Sequence, residues 1–242
     1  GANLISFYAL PSDLSISSIL SSLGNLVDGI IGQGEAAIYI GNGNWIGSLT
    51  VITSDNGYWI DVNSDATLTI QQAVPVSFDN DGEQYYELSA GNNLISYPFS
   101  LGQNIEDAIP DEFIGNIFGI AAEGTAALNI DGQWYGSMNQ FSPSTGHWLI
   151  TYDSIYFNYN LPDLESTAVR DFDFPEDTPD LFNFSQSPYQ AFYWMFYGQI
   201  DGIPLAEGED WIGAFYGDVC IGARKWQGVY TDIPIMGFDS DI

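Results

Sequence analysis

The feature that most constrains the fold of this chain is a stretch that is written twice. Residues 29–59 read GIIGQGEAAIYIGNGNWIGSLTVITSDNGYW, and residues 119–148 return them as GIAAEGTAALNIDGQWYGSMNQFSPSTGHW. The Asn-Leu-Ile-Ser opening at residues 3–6 returns in the same way at residues 93–96. A period of about 90 residues predicts two copies of a small domain rather than a solenoid of short units.

The two copies retain glycines, small residues and tryptophans, whereas their polar side chains differ. Asn44 and Tyr58, for example, stand where the second copy has Gln133 and His147. A shared scaffold is expected to retain this pattern. Function is therefore expected where the copies differ or stop, which are the acidic linker, the first strand and the aromatic C-terminal segment.

Within each copy the apolar pattern predicts a strand, a helix and then a meander of strands. In the first copy the strand covers residues 4–10, a helical stripe of two to three turns covers residues 16–23, and residues 66–70 form the last strand. The Asn-Gly pair at residues 42–43 predicts a tight hairpin. The predicted fold class is mainly β with α+β character, with two homologous small strand-helix-meander modules followed by a C-terminal all-β segment.

Shifts in composition divide the chain into four parts. We expect residues 84–88 to form a hairpin with residues 93–99 and so to give the second module a leading strand. The first module lacks such a strand, so the edge of residues 4–10 is expected to be covered by another subunit. The predicted parts are module 1 at 1–72, module 2 at 73–160, an acidic linker at 161–180, and an aromatic third segment at 181–242 that is incomplete on its own.

Charge is the most extreme property of the composition. The chain has 32 Asp and Glu against three Lys and Arg, and its formal net charge is -29. This balance excludes nucleic-acid binding, which requires Lys and Arg to replace the counterions of the phosphates. No run of 18 apolar residues is present, so no membrane insertion is predicted. Assembly of so acidic a chain with itself is expected to depend on ionic conditions.

Residues that could perform enzyme chemistry are scarce. His147 is the single histidine, and a structural role is expected because the first copy has Tyr58 in its place. Glycoside hydrolysis needs two carboxylates at a defined separation, and the abundance of acidic residues marks no particular pair. We therefore predict a protein that is not an enzyme and assign no catalytic residue.

Acidic clusters make calcium the candidate cofactor, because this ion is bound by carboxylate and carbonyl oxygens. The alternative interpretation is a solvated acidic surface, and neither cluster has the full spacing of a helix-loop-helix calcium site. The candidate ligands are Asp79, Asp81 and Glu83 in one loop, and Asp171, Asp173 and Asp177 in the linker.

Aromatic residues supply two further hypotheses. Trp45 and Trp134 stand at matched places in the copies, where packing is the first explanation and an outward face that stacks on glycans is the alternative. In the third segment, one predicted strand is aromatic on both faces, which needs more protein than the segment supplies and predicts a subunit interface. The candidate self-association residues are Phe192, Tyr193, Trp194, Phe196 and Tyr197.

Several motifs resemble those of a known kind of protein. The Asn-Leu-Ile-Ser opening, Gly-x-Ala-Ala at residues 34–37, Trp-x-Gly-Ser at residues 45–48 and Gly-x-Trp at residues 57–59 resemble a repeat of large secreted and cell-surface proteins of environmental bacteria. The third segment, with DWIGAF at residues 210–215 and DVCIG at residues 218–222, resembles a module often found beside it. The resemblance implies an extracellular surface location and carries over no catalytic residues. A start at glycine rather than methionine fits a processed secreted protein.

These patterns together predict an extracellular, non-enzymatic structural protein. We expect it to polymerise with itself into a surface filament, tube or matrix through strand-edge pairing and aromatic interfaces. The alternative is a glycan-binding or adhesive module of a larger secreted protein.

Overall fold

The computed structural model describes residues 1–75, 85–163 and 178–238. It is 45% strand and 10% helix, which confirms the predicted β-rich fold. In the described ranges, no helix has both the length and the apolar character needed to cross a membrane.

Module 1 is built on a five-stranded antiparallel sheet. Its elements are β1 (Ala2–Ile5), β2 (Ala9–Leu10), α1 (Ile16–Ile19), a 3-10 helix (Ser21–Leu26), β3 (Val27–Gly32), β4 (Glu35–Gly41), β5 (Asn44–Gly47), β6 (Tyr58–Val62) and β7 (Val74–Pro75). The strand order in the sheet is β1-β6-β3-β4-β5, and β2 pairs separately with β7. The helical residues and the loop after β5 pack on one face of the sheet and form the core of the module.

Local signals explain the ends of several elements in module 1. The Ser15 side chain accepts a hydrogen bond from the backbone N–H of Ser18 at 3.3 Å and so caps α1. Gly24 adopts a φ of 56° and interrupts the helical stretch. The helix is therefore a single α turn followed by a 3-10 helix, shorter than predicted. Asn42 and Gly43, with φ values of 55° and 76°, form the expected tight turn between β4 and β5.

The end of module 1 differs from the prediction. Residues 66–70 form no strand; Leu68 and Ile70 instead pack against the module core. The later β7 pairs with β2, so the contacts of module 1 extend to Pro75. The apolar spacing favours a strand, but the segment lies against the module core, where Leu68 and Ile70 are partly buried without strand pairing.

Module 2 repeats the architecture of module 1. Its elements are β8 (Tyr86–Leu88), β9 (Gly91–Ser96), β10 (Gln103–Asn104), α2 (Ile105–Ala108), α3 (Asp111–Ile114), β11 (Ile117–Ala121), β12 (Ala126–Ile130), β13 (Gln133–Tyr135), β14 (Gln140–Phe141), β15 (Gly146–Thr151) and β16 (Ile155–Phe157). The strand order β9-β15-β11-β12-β13 matches that of module 1 strand for strand. Both sheets carry a register irregularity at the same place, before Gly29 and before Gly119.

The predicted hairpin between the leading strand and β9 is wrong. The leading strand β8 pairs with β16, while β9 pairs with β15. The physical reason is burial: Tyr86 and Leu88 of β8 and Phe157 of β16 all enter the core of module 2, which a hairpin with β9 would not allow. Pro110 separates α2 from α3, as the sequence predicts.

The third segment is all β apart from one short 3-10 turn. Its elements are that 3-10 helix (Asp180–Phe182), β17 (Gln190–Met195), β18 (Gln199–Ile200), β19 (Ile203–Pro204), β20 (Trp211–Tyr216), β21 (Val219–Lys225) and β22 (Thr231–Met236). β17 pairs with β22, and β20 forms a hairpin with β21. β21 approaches β22 so closely that a Cβ on Gly222 would lie 1.5 Å from the Pro234 carbonyl oxygen.

The two modules are joined by a reciprocal pair of backbone hydrogen bonds at the ends of their first strands. Ser6 N, just after β1, donates to Ser144 O in module 2 at 3.0 Å. Ser96 N, at the end of β9, donates to Asp55 O in module 1 at 3.0 Å. The equivalence of these bonds gives the pair an approximate two-fold symmetry.

The turns that follow β3 and β11 extend the same symmetry. The Gln33 side chain accepts a hydrogen bond from Leu94 N at 2.7 Å, and the Glu123 side chain accepts one from Leu4 N at 3.0 Å. Module 2 therefore covers the outer edge of β1, where the sequence predicted cover from another subunit. That prediction is wrong because the repeat supplies the cover within the chain.

A small apolar cluster seals the junction between the modules. Its members are Ala2, Leu4, Trp59 and Leu94, with Trp148 packed against them. The cluster explains why both copies retain Asn-Leu-Ile-Ser and Gly-x-Trp. At its side, Gly57 and Gly146 meet so closely that a Cβ on either would lie 3.2 Å from the Cα of the other.

Candidate interaction site

The third segment is anchored on module 2 by a buried ion pair. The Asp232 carboxylate is fully buried and accepts hydrogen bonds from Ser137 N at 2.7 Å and from Ser137 Oγ at 2.8 Å. Arg224 pairs with the same carboxylate at 3.0 Å and also donates to Gly124 O. Burial raises the pKa of Asp232, while Arg224 and Ser137 act in the opposite direction. A buried carboxylate with this many partners fixes the position of the segment.

Gln190 adds a second polar contact at the start of β17. Its Oε1 accepts from Gly124 N at 3.2 Å, and its Nε2 donates to Ala122 O at 2.9 Å. The bonds pair the side-chain amide with the backbone of the turn between β11 and β12. One face of β17 is thereby held over the sheet of module 2.

Aromatic side chains of β17 face module 2. Phe192 and Trp194 line a cleft of about 420 Å³ above β11 and β12. The Trp194 ring lies 2.9 Å from the place where Gly136 would carry a Cβ, so this glycine of the Trp-x-Gly-Ser motif makes room for it. The covered face of β17 is thus packed on a sheet of the same chain.

The predicted self-association residues divide between two faces. Phe192 and Trp194 are half-buried against module 2. Tyr193, Phe196 and Tyr197 are 63%, 60% and 59% exposed, and we call these three side chains the aromatic set. Module 2 therefore covers Phe192 and Trp194. In the aromatic set, Phe196 packs edge-on against Tyr230, whose ring contacts Tyr135 of module 2, and more than half of each side chain of the set remains exposed.

Module 1 has the same sheet face, but no segment of the described chain lies across it as β17 lies across module 2. Ile31 and Ile38 are 42% and 65% exposed, whereas their counterparts Ala121 and Leu128 are both 8% exposed. The register places Ile38 directly opposite Ile46 on the adjacent strand, while Ile31 lies opposite Ala36. We call this surface the isoleucine face; its members are Ile31, Ile38, Ile40 and Ile46.

A groove of about 560 Å³ runs along the isoleucine face. Asp28 and Asp61 lie on it where module 2 has Phe118 and Ile150. Tyr189 of the third segment borders both this groove and the cleft on module 2. The groove therefore lies on the module 1 equivalent of the sheet face that, on module 2, forms the cleft with β17.

The two tryptophans of the glycan hypothesis pack toward the module cores. Trp45 is half-buried and contacts the Tyr39 ring at a centroid distance of 5.1 Å. Trp134 is also half-buried, and its indole nitrogen is shielded from solvent. This placement favours the packing role over a flat face for a sugar ring, and glycan binding stays a prediction.

The predicted calcium ligands lie outside the described residues. This holds for Asp79, Asp81 and Glu83 and equally for Asp171, Asp173 and Asp177. Within the ranges that the structure describes, no group of three or more His, Cys, Asp or Glu side chains is placed to hold a metal ion.

His147 lies in the core of module 2. It is 1% exposed and packs edge-on against Phe141 at a centroid distance of 4.8 Å. Its counterpart Tyr58 is equally buried in module 1, where the Tyr58 hydroxyl accepts from Thr53 N at 2.9 Å. An imidazole that is sealed from solvent in this way acts in packing and is not accessible to a substrate.

Acid is expected to destabilise the protein through His147. Burial lowers the pKa of His147 from 6.5 to about 3, so below pH 6.5 only the unfolded state gains this proton. The free energy of unfolding then falls by about 1.4 kcal/mol for each further pH unit, until the folded pKa is reached. Urea unfolding at pH 7 and pH 5 should show about 2 kcal/mol more loss for the wild type than for His147→Tyr, which copies module 1. Parallel pH profiles for the two proteins would contradict this assignment.

Sequence reasoning missed the residues that anchor the third segment. Ser137 has an identical counterpart in Ser48, and nothing in the repeat indicates that only one of them meets Asp232. A usable signal was the rarity of positive charge, because Arg224 is one of only three Lys and Arg residues. A cation that is retained in so acidic a chain is a candidate for a buried ion pair.

Comparison with protein families, with curated proteins and with solved structures finds no match for this chain.

Proposed function

We propose that this chain is a non-enzymatic structural protein of the extracellular surface that assembles with copies of itself. The observation that carries the proposal is the exposed isoleucine face, whose counterpart on module 2 is covered by β17. Large contiguous apolar surfaces on folded proteins mark interaction sites. The short edge strand β5 borders this face and offers unpaired backbone groups as well.

Charge supports contact between copies at this face. The side chains that β4 and β5 direct to it are uncharged: Ala36, Ile38, Ile40, Asn44 and Ile46. In a chain with a net charge of -29, two copies repel each other less at β4 and β5 than at surfaces rich in carboxylates; Asp28 and Asp61 lie on the part of the face that β3 and β6 form. Salt screens the remaining repulsion, so association should strengthen as ionic strength rises.

The extracellular location is the part of the proposal that rests on sequence motifs. The Asn-Leu-Ile-Ser, Trp-x-Gly-Ser and Gly-x-Trp motifs resemble repeats of secreted surface proteins, and the structure gives each of them a scaffold role. Calcium remains the candidate ion for the acidic segments and is included as a variable in the test.

Ile38→Glu is expected to weaken self-association at least about tenfold, because it places a charge in the centre of the isoleucine face. Light scattering coupled to size-exclusion chromatography should show a wild-type mass that grows with concentration and with salt. Val74→Glu is the matched control, since Val74 is an apolar strand residue of module 1 that is 66% exposed outside this face. A wild type that stays monomeric at high salt, with and without calcium, would refute the proposal.

A further inference from the structure

We infer that the isoleucine face of one copy binds the aromatic set of a second copy. The aromatic set consists of Tyr193, Phe196 and Tyr197 on the third segment, as defined above. This inference rests on the proposed self-association and adds the identity of the two surfaces that meet.

Modules 1 and 2 offer the same kind of sheet face to an aromatic strand. Modules 1 and 2 share one strand order, and the same sheet face is present in both. On module 2 that face is covered by β17, and Phe192 and Trp194 line the cleft above β11 and β12. A sheet of this shape therefore accepts an aromatic strand, and module 1 presents the same shape without one.

The strand β17 carries aromatic side chains on both of its faces. Side chains alternate between the faces of a strand, so Tyr193 points away from the cleft that Phe192 and Trp194 enter. Phe196 and Tyr197 follow directly and are similarly exposed. β17, whose first face covers module 2, thus carries Tyr193 on its second face. The other two members of the aromatic set follow the end of the strand, where Phe196 also packs against Tyr230.

The isoleucine face and the aromatic set are also complementary in hydrogen bonding. Where module 2 has Phe118 and Ile150 and receives Phe192 and Trp194, module 1 has Asp28 and Asp61. Two members of the aromatic set are tyrosines, whose hydroxyl groups donate hydrogen bonds. Carboxylates accept several such bonds at once. Asp28 already accepts a hydrogen bond from Asn63, and Asp61 pairs with the N-terminal ammonium at 3.6 Å, but each carboxylate can accept further bonds. The isoleucine face therefore fits a tyrosine-bearing surface better than it fits a second isoleucine face, which would bring the Asp28 carboxylates of both copies into one interface.

The geometry of this contact determines how it propagates. The isoleucine face and the aromatic set are different surfaces of one chain, so each copy offers one of each to its neighbours. Such a head-to-tail contact forms a ring if the rotation closes and a filament if it does not. Contact of two isoleucine faces would instead stop at a dimer.

Mixing two blocked variants tests the inference directly. Ile38→Glu with Ile46→Glu blocks the isoleucine face, and Tyr193→Ser with Tyr197→Ser blocks the aromatic set. Each variant alone is expected to be monomeric in sedimentation velocity, while an equimolar mixture forms a 1:1 complex and stops there. Tyr156→Ser is the matched control, because Tyr156 is a 67% exposed tyrosine outside both surfaces, and it should assemble like the wild type.

The outcomes separate this inference from the proposal beneath it. A monomeric wild type would refute self-association altogether. A wild type that associates, together with an aromatic variant that still dimerises and a mixture that gains nothing, would overturn the inference alone. Hydrogen exchange on the wild type provides a readout without substitutions: protection of β4 and β5 and of residues 193–197 should rise together with concentration. Protection that rises at only one of these places would also overturn it.

Discussion

Arg224→Met is expected to lower the free energy of unfolding of the third segment by about 3–5 kcal/mol. The substitution leaves the Asp232 carboxylate buried beside module 2 without its cation, and removal of one partner of a buried pair is strongly destabilising. The segment should lose its protection against hydrogen exchange and proteolysis. Modules 1 and 2, whose cores do not contain Arg224, should remain folded.

A second substitution should restore much of this loss. In the double variant Arg224→Met with Asp232→Asn, the buried group is neutral and can still bond to Ser137. Lys225→Met is the matched control, since the neighbouring Lys225 ammonium lies over the Trp211 ring at 5.8 Å from its centroid and not beside the Asp232 carboxylate. Its cost should stay near or below about 1 kcal/mol. Equal losses for the two single variants in urea unfolding would show that the Asp232 pair does not anchor the segment.

Gly222→Ala is expected to destabilise the third segment by about 3 kcal/mol or more. The added methyl group would lie 1.5 Å from the Pro234 carbonyl oxygen and 2.7 Å from the Pro234 carbonyl carbon. Both atoms are backbone, so relief requires β21 to move away from β22. Limited proteolysis should then cut within the segment at denaturant concentrations that leave the wild type intact.

Gly115→Ala is the control for this substitution. A Cβ on Gly115 meets no atom within 4 Å, and its backbone at φ -67° suits any residue. Its stability should be unchanged or raised by up to about 1 kcal/mol, because alanine restricts the unfolded chain. If the two glycine variants unfold at the same denaturant concentration, the close approach of β21 to β22 is not real.

Local features of the fold were predictable from sequence because their causes are local. The turn at Asn42 and Gly43 depends on two residues that tolerate positive φ, and the helix break at Pro110 depends on one missing N–H. The repeat itself predicted that the two modules share one plan, and the matching strand orders bear this out. The pairing of β8 with β16 depends instead on burial of Tyr86 and Phe157 in one core, which no short window of sequence reveals.

Only part of the candidate site could be predicted from the sequence, for a similar reason. The aromatic strand at residues 190–195 was recognised as needing cover, but the sequence could not show that module 2 covers one face of it. The sequence of β4 indicates the isoleucine face. Ile38 and Ile40 alternate there with Ala37 and Tyr39, so both faces of this strand, which is next to the edge strand β5, are apolar. The two sheets are similar, and β17 covers only that of module 2. The difference depends on side chains such as Asp28, which stands where module 2 has Phe118, and it becomes visible only once the position of the third segment is known.

The contact between Gly57 and Gly146 has a consequence for how chains of this kind can grow. The end of each module's first strand forms a backbone hydrogen bond with the other module, so two modules satisfy each other's strand ends. A third module inserted in tandem would have no partner left for that strand end, and its Trp-containing junction would face water. The stable unit of this repeat is therefore the pair, and a chain built from more copies is expected to fold stably only with an even number of modules.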